Sequence, residues 1–179
     1  MDDKVAGKVK LEAQLMRAID TDELEALFQP IVELATGRVI GAEALLRWVH
    51  PTEGRLTPDK FLPMAEESGF VAELDAWILN NACTRAAAWT EELGREIRIA
   101  VNLSGRTLQR EDLVETVASV LQETGLKPQN LVLEMTESVF VQSRDGKKLR
   151  ELKDLGIRLA LEESALLPLM KSSGIKAAV

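Results

Sequence analysis

Short apolar runs recur in this sequence, each carrying one oxygen-bearing side chain. Glu43 lies within Gly41-Ala-Glu-Ala-Leu-Leu-Arg-Trp, Asn102 ends Ile97-Arg-Ile-Ala-Val-Asn, and Glu134 ends Leu131-Val-Leu-Glu. A fourth run, Arg158-Leu-Ala-Leu, leads into Glu162-Glu163. Carboxylate and amide oxygens are hard ligands that suit Mg²⁺ or Mn²⁺ and hold no attraction for a thiol-seeking metal. A divalent ion held this way can neutralise an anionic ester and activate water for in-line attack. A single Glu at a strand end is ordinarily solvated or caps the next helix, so the weight lies in the recurrence at equivalent positions. Arg47 follows Glu43 by four residues and shares its strand face, where it meets an anionic substrate or neutralises Glu43. His50, the only histidine, precedes Pro51 in an expected loop and has no Ser or Cys partner in a recognisable triad, so it reads as structural.

The elements that would carry these residues follow from periodicity and punctuation. Apolar residues from Leu11 to Leu27 fit an amphipathic helix, broken or capped near Asp20-Thr-Asp22, so residues 1–27 read as an N-terminal helical segment. Phe28–Val32 reads as a strand, Ala35-Thr-Gly-Arg38 as a turn, and Val39–Trp48 as the next strand. A connection this short allows only antiparallel pairing. Helices then alternate with strands. Thr57-Pro-Asp opens one helix and Gly69 closes it, a longer one runs over 71–93 to Gly94, and others are expected over 111–124 and 144–155. The intervening strands are 97–103, 131–135 and 157–161. Such alternation implies parallel strands joined by right-handed crossovers, with their carboxyl ends gathered on one rim of an α/β barrel. Beyond residue 161, Pro168 lies in a short expected helix, and Ile175-Lys-Ala-Ala-Val179 is either a further strand or a frayed tail.

Composition narrows the class. The chain has 179 residues, enough for one domain, whereas a complete eight-stranded barrel typically needs roughly 250. A net charge of −7 argues against a general nucleic-acid binder, which relies on a basic surface. The lone Cys83 sits among helix formers and reads as a buried structural thiol. Without a second cysteine no internal disulfide forms, which suits a reducing cytoplasm. The charged N-terminus lacks a signal-peptide core, and no run reaches the ~18 apolar residues of a membrane span. The expectation is a cytoplasmic domain without a membrane partner. Trp48, Trp77 and Trp89 fall near periodic apolar residues and read as core.

The motifs together resemble a known family. Phe28-Gln-Pro-Ile-Val, Gly41-Ala-Glu-Ala-Leu-Leu-Arg-Trp, Phe61-Leu-Pro-Met-Ala-Glu, Val101-Asn-Leu-Ser and Leu133-Glu-Met-Thr-Glu-Ser are similar to the EAL family of cyclic di-GMP phosphodiesterases. Glu43-Ala44-Leu45 is the signature triplet itself, and the match runs in order from about Leu11 to Leu161. The resemblance implies a TIM-like barrel with one antiparallel strand, metal ligands at Glu43, Asn102 and Glu134, dinucleotide contacts from Gln29 and Arg47, and a loop braced by Glu137. It also implies Mg or Mn as cofactor.

Divergence begins where the family carries Asp-Asp-Phe-Gly-Thr-Gly. Here the residues are Glu162-Glu-Ser-Ala-Leu-Leu167, with each carboxylate one methylene longer and no glycine loop. In the best-matching register Ala177 stands where the family has a lysine that positions the attacking water, and the family's last strands lie beyond the tail of residues 162–179. Three readings follow. One is an incomplete, catalytically impaired barrel that acts through the dinucleotide or through a protein partner, a second copy included, at its open edge. Another is a working Mg/Mn-dependent phosphodiesterase that yields linear pGpG, with missing ligands supplied by another chain. The last is a truncated remnant or artificially shortened chain without function.

Overall fold

A computed structural model describes residues 2–142, 146–161 and 176–178. Its centre is a seven-stranded sheet. Strand β1 (Leu24–Glu33) runs antiparallel to β2 (Val39–His50), joined by the turn around Gly37. Gly37 has φ +69°, the left-handed conformation that a residue with a Cβ adopts only at a cost, and this is why glycine stands in the tight reversal. From β2 the sheet continues parallel through β4 (Arg98–Asn102), β5 (Leu131–Met135) and β6 (Arg158–Leu161). On the other side, β7 (Lys176–Ala178) lies parallel to β1, and the short β3 (Gly54–Leu56) folds back antiparallel onto β2. The order is therefore β6-β5-β4-β2-β1-β7. Among the described residues, β6 and β7 are not paired with each other, so the sheet is not closed.

Helices cover the outside. They are α1 (Asp2–Ala18), α2 (Pro58–Ser68), α3 (Val71–Leu93), α4 (Gly105–Gln109), α5 (Leu113–Thr124), α6 (Glu137–Gln142) and α7 (Lys147–Asp154). Pro58 at the start of α2 and the left-handed Gly69 after it place both ends where the punctuation predicts. Gly94 and Gly125 close α3 and α5 in the same way. The core is continuous: Trp48, Phe61, Leu74, Ile99, Leu133 and Leu152 are all 1% exposed or less. Trp48 packs edge-on against Phe61 with ring centroids 6.0 Å apart, and its indole N–H donates to Glu23 at 3.1 Å. Trp77 and Trp89 are partly buried against the same core. Burying this much apolar surface is what holds the helices onto the sheet.

Some expectations need correction. Residues 1–27 are not all helical: α1 ends at Ala18, and Leu24 and Leu27 belong to β1. The apolar residues in that stretch satisfied a helical period, but pairing with β2 from Leu24↔Trp48 onward fixes them as strand. The Asp20–Asp22 interruption, with Asp22 at φ +54°, is the real boundary. The ambiguity at the tail is decided for 176–178, which form β7 against Ile31, Val32 and Glu33. Pro168 and the helix expected around it lie outside the described residues. His50 is buried at the β2–β3 turn, where its Nδ1 accepts from the backbone N–H of Thr52 (3.3 Å) and Glu53 (3.2 Å). The role is structural as expected, but His50 closes strand β2, paired with Gly54, where a loop was expected.

Candidate functional site

Parallel register brings the recurring oxygens together. Glu43 on β2 lies opposite Ala100 on β4, and Asn102, two residues further along β4, lies opposite Glu134 on β5. Three neighbouring strands thus deliver Glu43, Asn102 and Glu134 to one rim. The Asn102 side-chain N–H donates to Glu43 Oε1 at 3.0 Å. Glu43 is 9% exposed and Glu134 8%, so two carboxylates are held in largely dry surroundings where charge is costly without compensation.

Close strand approach underlies this convergence. A Cβ on Gly41 would sit 2.5 Å from the Arg98 carbonyl oxygen. Only glycine lets β2 and β4 come this near, and Glu43 stands two residues beyond on the same face of β2.

The rim opens into a cleft of about 860 Å³ that includes all three residues together with Gln29 and Arg47. Gln29 on β1 is the direct cross-strand partner of Glu43. Arg47, half-buried, donates from Nη1 to the Leu46 carbonyl at 2.7 Å. Pro58 and Leu62 of α2, Ile78 of α3 and Val139 of α6 add apolar walls. Glu137 sits exposed at the first position of α6 and is not among the residues lining the cleft. Glu162 and Glu163 lie outside the described residues, as does the loop Glu137 was expected to brace.

One cleft residue escaped the sequence reading. Asp75 on α3 lines the cleft and accepts through Oδ2 from the Ser104 backbone N–H (3.0 Å) and the Thr107 hydroxyl (2.6 Å). It thereby anchors the turn that follows Asn102. Desolvation pushes its carboxyl above the usual carboxylate value, against the lowering effect of those hydrogen bonds. A signal was present: Asp75 interrupts the otherwise apolar stripe Val71, Ile78, Ala82 on α3.

The donor set fits a hard divalent cation. Glu43, Asn102 and Glu134 supply only oxygens, and Mg²⁺ or Mn²⁺ favours carboxylate and carbonyl ligands. Among the described residues no group of three His, Cys, Asp or Glu side chains converges, because the third member here is an amide. Charge supports the same conclusion. Among the described residues, Glu43, Glu66, Asp75 and Glu134 line the cleft against the guanidinium of Arg47.

Comparison with known proteins identifies the family. The EAL domain family model matches residues 12–166, and the chain belongs to that family. It is 43% identical over 165 residues to an "Uncharacterized signaling protein" of Caulobacter vibrioides, covering 91% of this chain and 20% of that one. It is 37% identical over 162 residues to the cyclic di-GMP phosphodiesterase NbdA of Pseudomonas aeruginosa, covering 89% of this chain and 21% of that one. The chain thus spans about a fifth of these relatives' length. Among solved structures, the PaMucR phosphodiesterase in its c-di-GMP complex superposes with a TM-score of 0.80 at 32% identity, covering 94% of this chain and 70% of that one. The FimX EAL domain from Pseudomonas aeruginosa bound to c-di-GMP gives 0.74 at 26% identity, covering 92% and 67%. No helix among the described residues is long and apolar enough to cross a membrane.

Proposed function

We propose that this domain binds cyclic di-GMP in the 860 Å³ cleft with Mg²⁺ or Mn²⁺ held by Glu43, Asn102 and Glu134, and that the chain by itself turns the dinucleotide over far below the rate of a complete two-metal site. The convergence of those three oxygens beside Gln29 and Arg47 carries the reading. Each of the ligand's two phosphates is anionic, and a cleft lined, among the described residues, by four carboxylates and one guanidinium repels it unless a cation intervenes. Arg47 supplies the planar fork suited to a phosphate oxygen pair, and Gln29 supplies amide contacts at the same wall.

Impairment rests on the sequence after β6. A two-metal site holds its ions roughly 3.5–4 Å apart. Glu162 and Glu163 extend the family's aspartates by one methylene each, and a ~1 Å misplacement can cost on the order of a hundredfold in rate. Ala177, in the register where the family has its lysine, offers no group to orient water. The outer side of β6, unpaired among the described residues and with Leu161 46% exposed, is the edge at which a second copy or another protein would dock. Incubation with cyclic di-GMP and Mn²⁺, followed by chromatography for linear pGpG, tests the chemistry. The substrate should survive. Robust product that vanishes in Glu43→Ala would establish a working phosphodiesterase instead.

A further inference from the structure

Behind the main cleft lies a second, smaller cavity of about 130 Å³ between α3, α5 and the sheet. Its walls are apolar: Ala76 and Leu79 from α3, Leu113 and Val117 from α5, and Val101 and Leu133 from β4 and β5. Leu79, Val101, Leu113, Val117 and Leu133 are each 4% exposed or less, so the floor is rigid core. Alanines on α3 leave the room, since two helices packed with larger residues there would fill it. The mouth is framed by an exposed ion cluster, in which Arg110 grips Asp112 through Nε (2.8 Å) and Nη2 (2.7 Å) and reaches Glu73 at 3.7 Å.

Part of the polar surface on its wall is already engaged. Asp75 Oδ2 accepts from Ser104 and Thr107, and Ser104 and Thr107 also bond to each other at 2.9 Å. A polar guest would be desolvated and find few partners on a largely apolar wall, which is unfavourable, whereas an apolar guest gains contact area alone. Size sets the rest. An engineered apolar cavity of ~150 Å³ in an unrelated protein stays dry and takes benzene or xenon. We propose that this pocket is a second ligand site, for a compact neutral aromatic molecule of about one to two fused rings. Asp75 and Asn102 line both this pocket and the main cleft, so the two sites share a wall.

Indole is a suitable probe for the whole chain. Titrating it against methyl-labelled protein should give saturable shifts at Leu79, Leu113 and Val117. Ala76→Leu, which places a larger side chain in the pocket, should weaken binding at least tenfold with a native spectrum elsewhere. If that variant does not fold, Leu113→Ala serves instead. It enlarges the cavity and should strengthen naphthalene binding at least tenfold over the unaltered pocket. Absence of saturable shifts up to the solubility limit of indole overturns the proposal. So does indole binding that survives Ala76→Leu undiminished, or naphthalene binding that is the same with and without Leu113→Ala.

Discussion

Gly41→Ala offers the sharpest structural test, because one methyl group is directed at a backbone atom. The added Cβ would lie 2.5 Å from the Arg98 carbonyl oxygen and 3.0 Å from the Arg98 Cβ. Favourable non-bonded contacts lie at about 3.5–4.0 Å, so β2 and β4 must separate by roughly 1 Å at this point. The backbone conformation itself is not the obstacle, since Gly41 is not among the glycines with positive φ. Overpacking of this kind typically costs about 1–3 kcal/mol. A backbone obstacle between hydrogen-bonded strands belongs at the upper end. Lower entropy of the unfolded chain offsets about 0.4–1 kcal/mol. The net is about 2 kcal/mol of lost stability, or about 4–8 °C in Tm for a chain of this size. The same displacement should open the 3.0 Å Asn102–Glu43 bond and weaken Mn²⁺ binding at the rim. Thermal melts followed by circular dichroism, with Mn²⁺ titration of the folded protein, read both effects. A variant within 0.5 °C of the parent, with unchanged Mn²⁺ affinity, would refute the claim that close strand approach sets the site.

Further outcomes follow from other positions. Gly7→Ala, in α1 with nothing within 4 Å of the added Cβ, should raise stability by about 0.5–1 kcal/mol in the same melts. Cys83 is fully buried and desolvation pushes its thiol up to about 12, so it should resist iodoacetamide at pH 8 in the native protein and react only on unfolding. Asp75 carries a raised carboxyl value, so the folded state holds the proton more tightly than the unfolded chain. Its contribution is greatest at low pH and is lost as pH rises above the ordinary value of 3.8 through the folded-state value. Denaturation midpoints against pH should show this falling component in the parent, and Asp75→Asn should remove it.

Much of the fold was legible because periodicity and punctuation agreed. Val71–Leu93 and Leu131–Met135 stand where the apolar spacing and the glycine stops put them. The antiparallel β1–β2 pair followed from a turn too short for a crossover. Leu24 and Leu27 misled because apolar residues at such spacing serve a helix or a strand, and only long-range pairing with Trp48 and Leu45 decides between them. The short β3, α4 and α6 were missed, as each is too brief to show a period. At the site, Glu43, Asn102 and Glu134 were visible because each is the one oxygen-bearing side chain carried by a short apolar run. Asp75 was not, because its role depends on α3 lying across the turn at Ser104, which no local pattern encodes.

The most direct test of the central claim is isothermal titration of cyclic di-GMP into this chain with and without Mg²⁺. Metal-dependent binding of one dinucleotide per cleft, abolished by EDTA and weakened at least tenfold in Arg47→Ala, is the expected result. Absence of binding at millimolar ligand with Mg²⁺ present, or binding indifferent to both metal and Arg47, would contradict the assignment of the cleft.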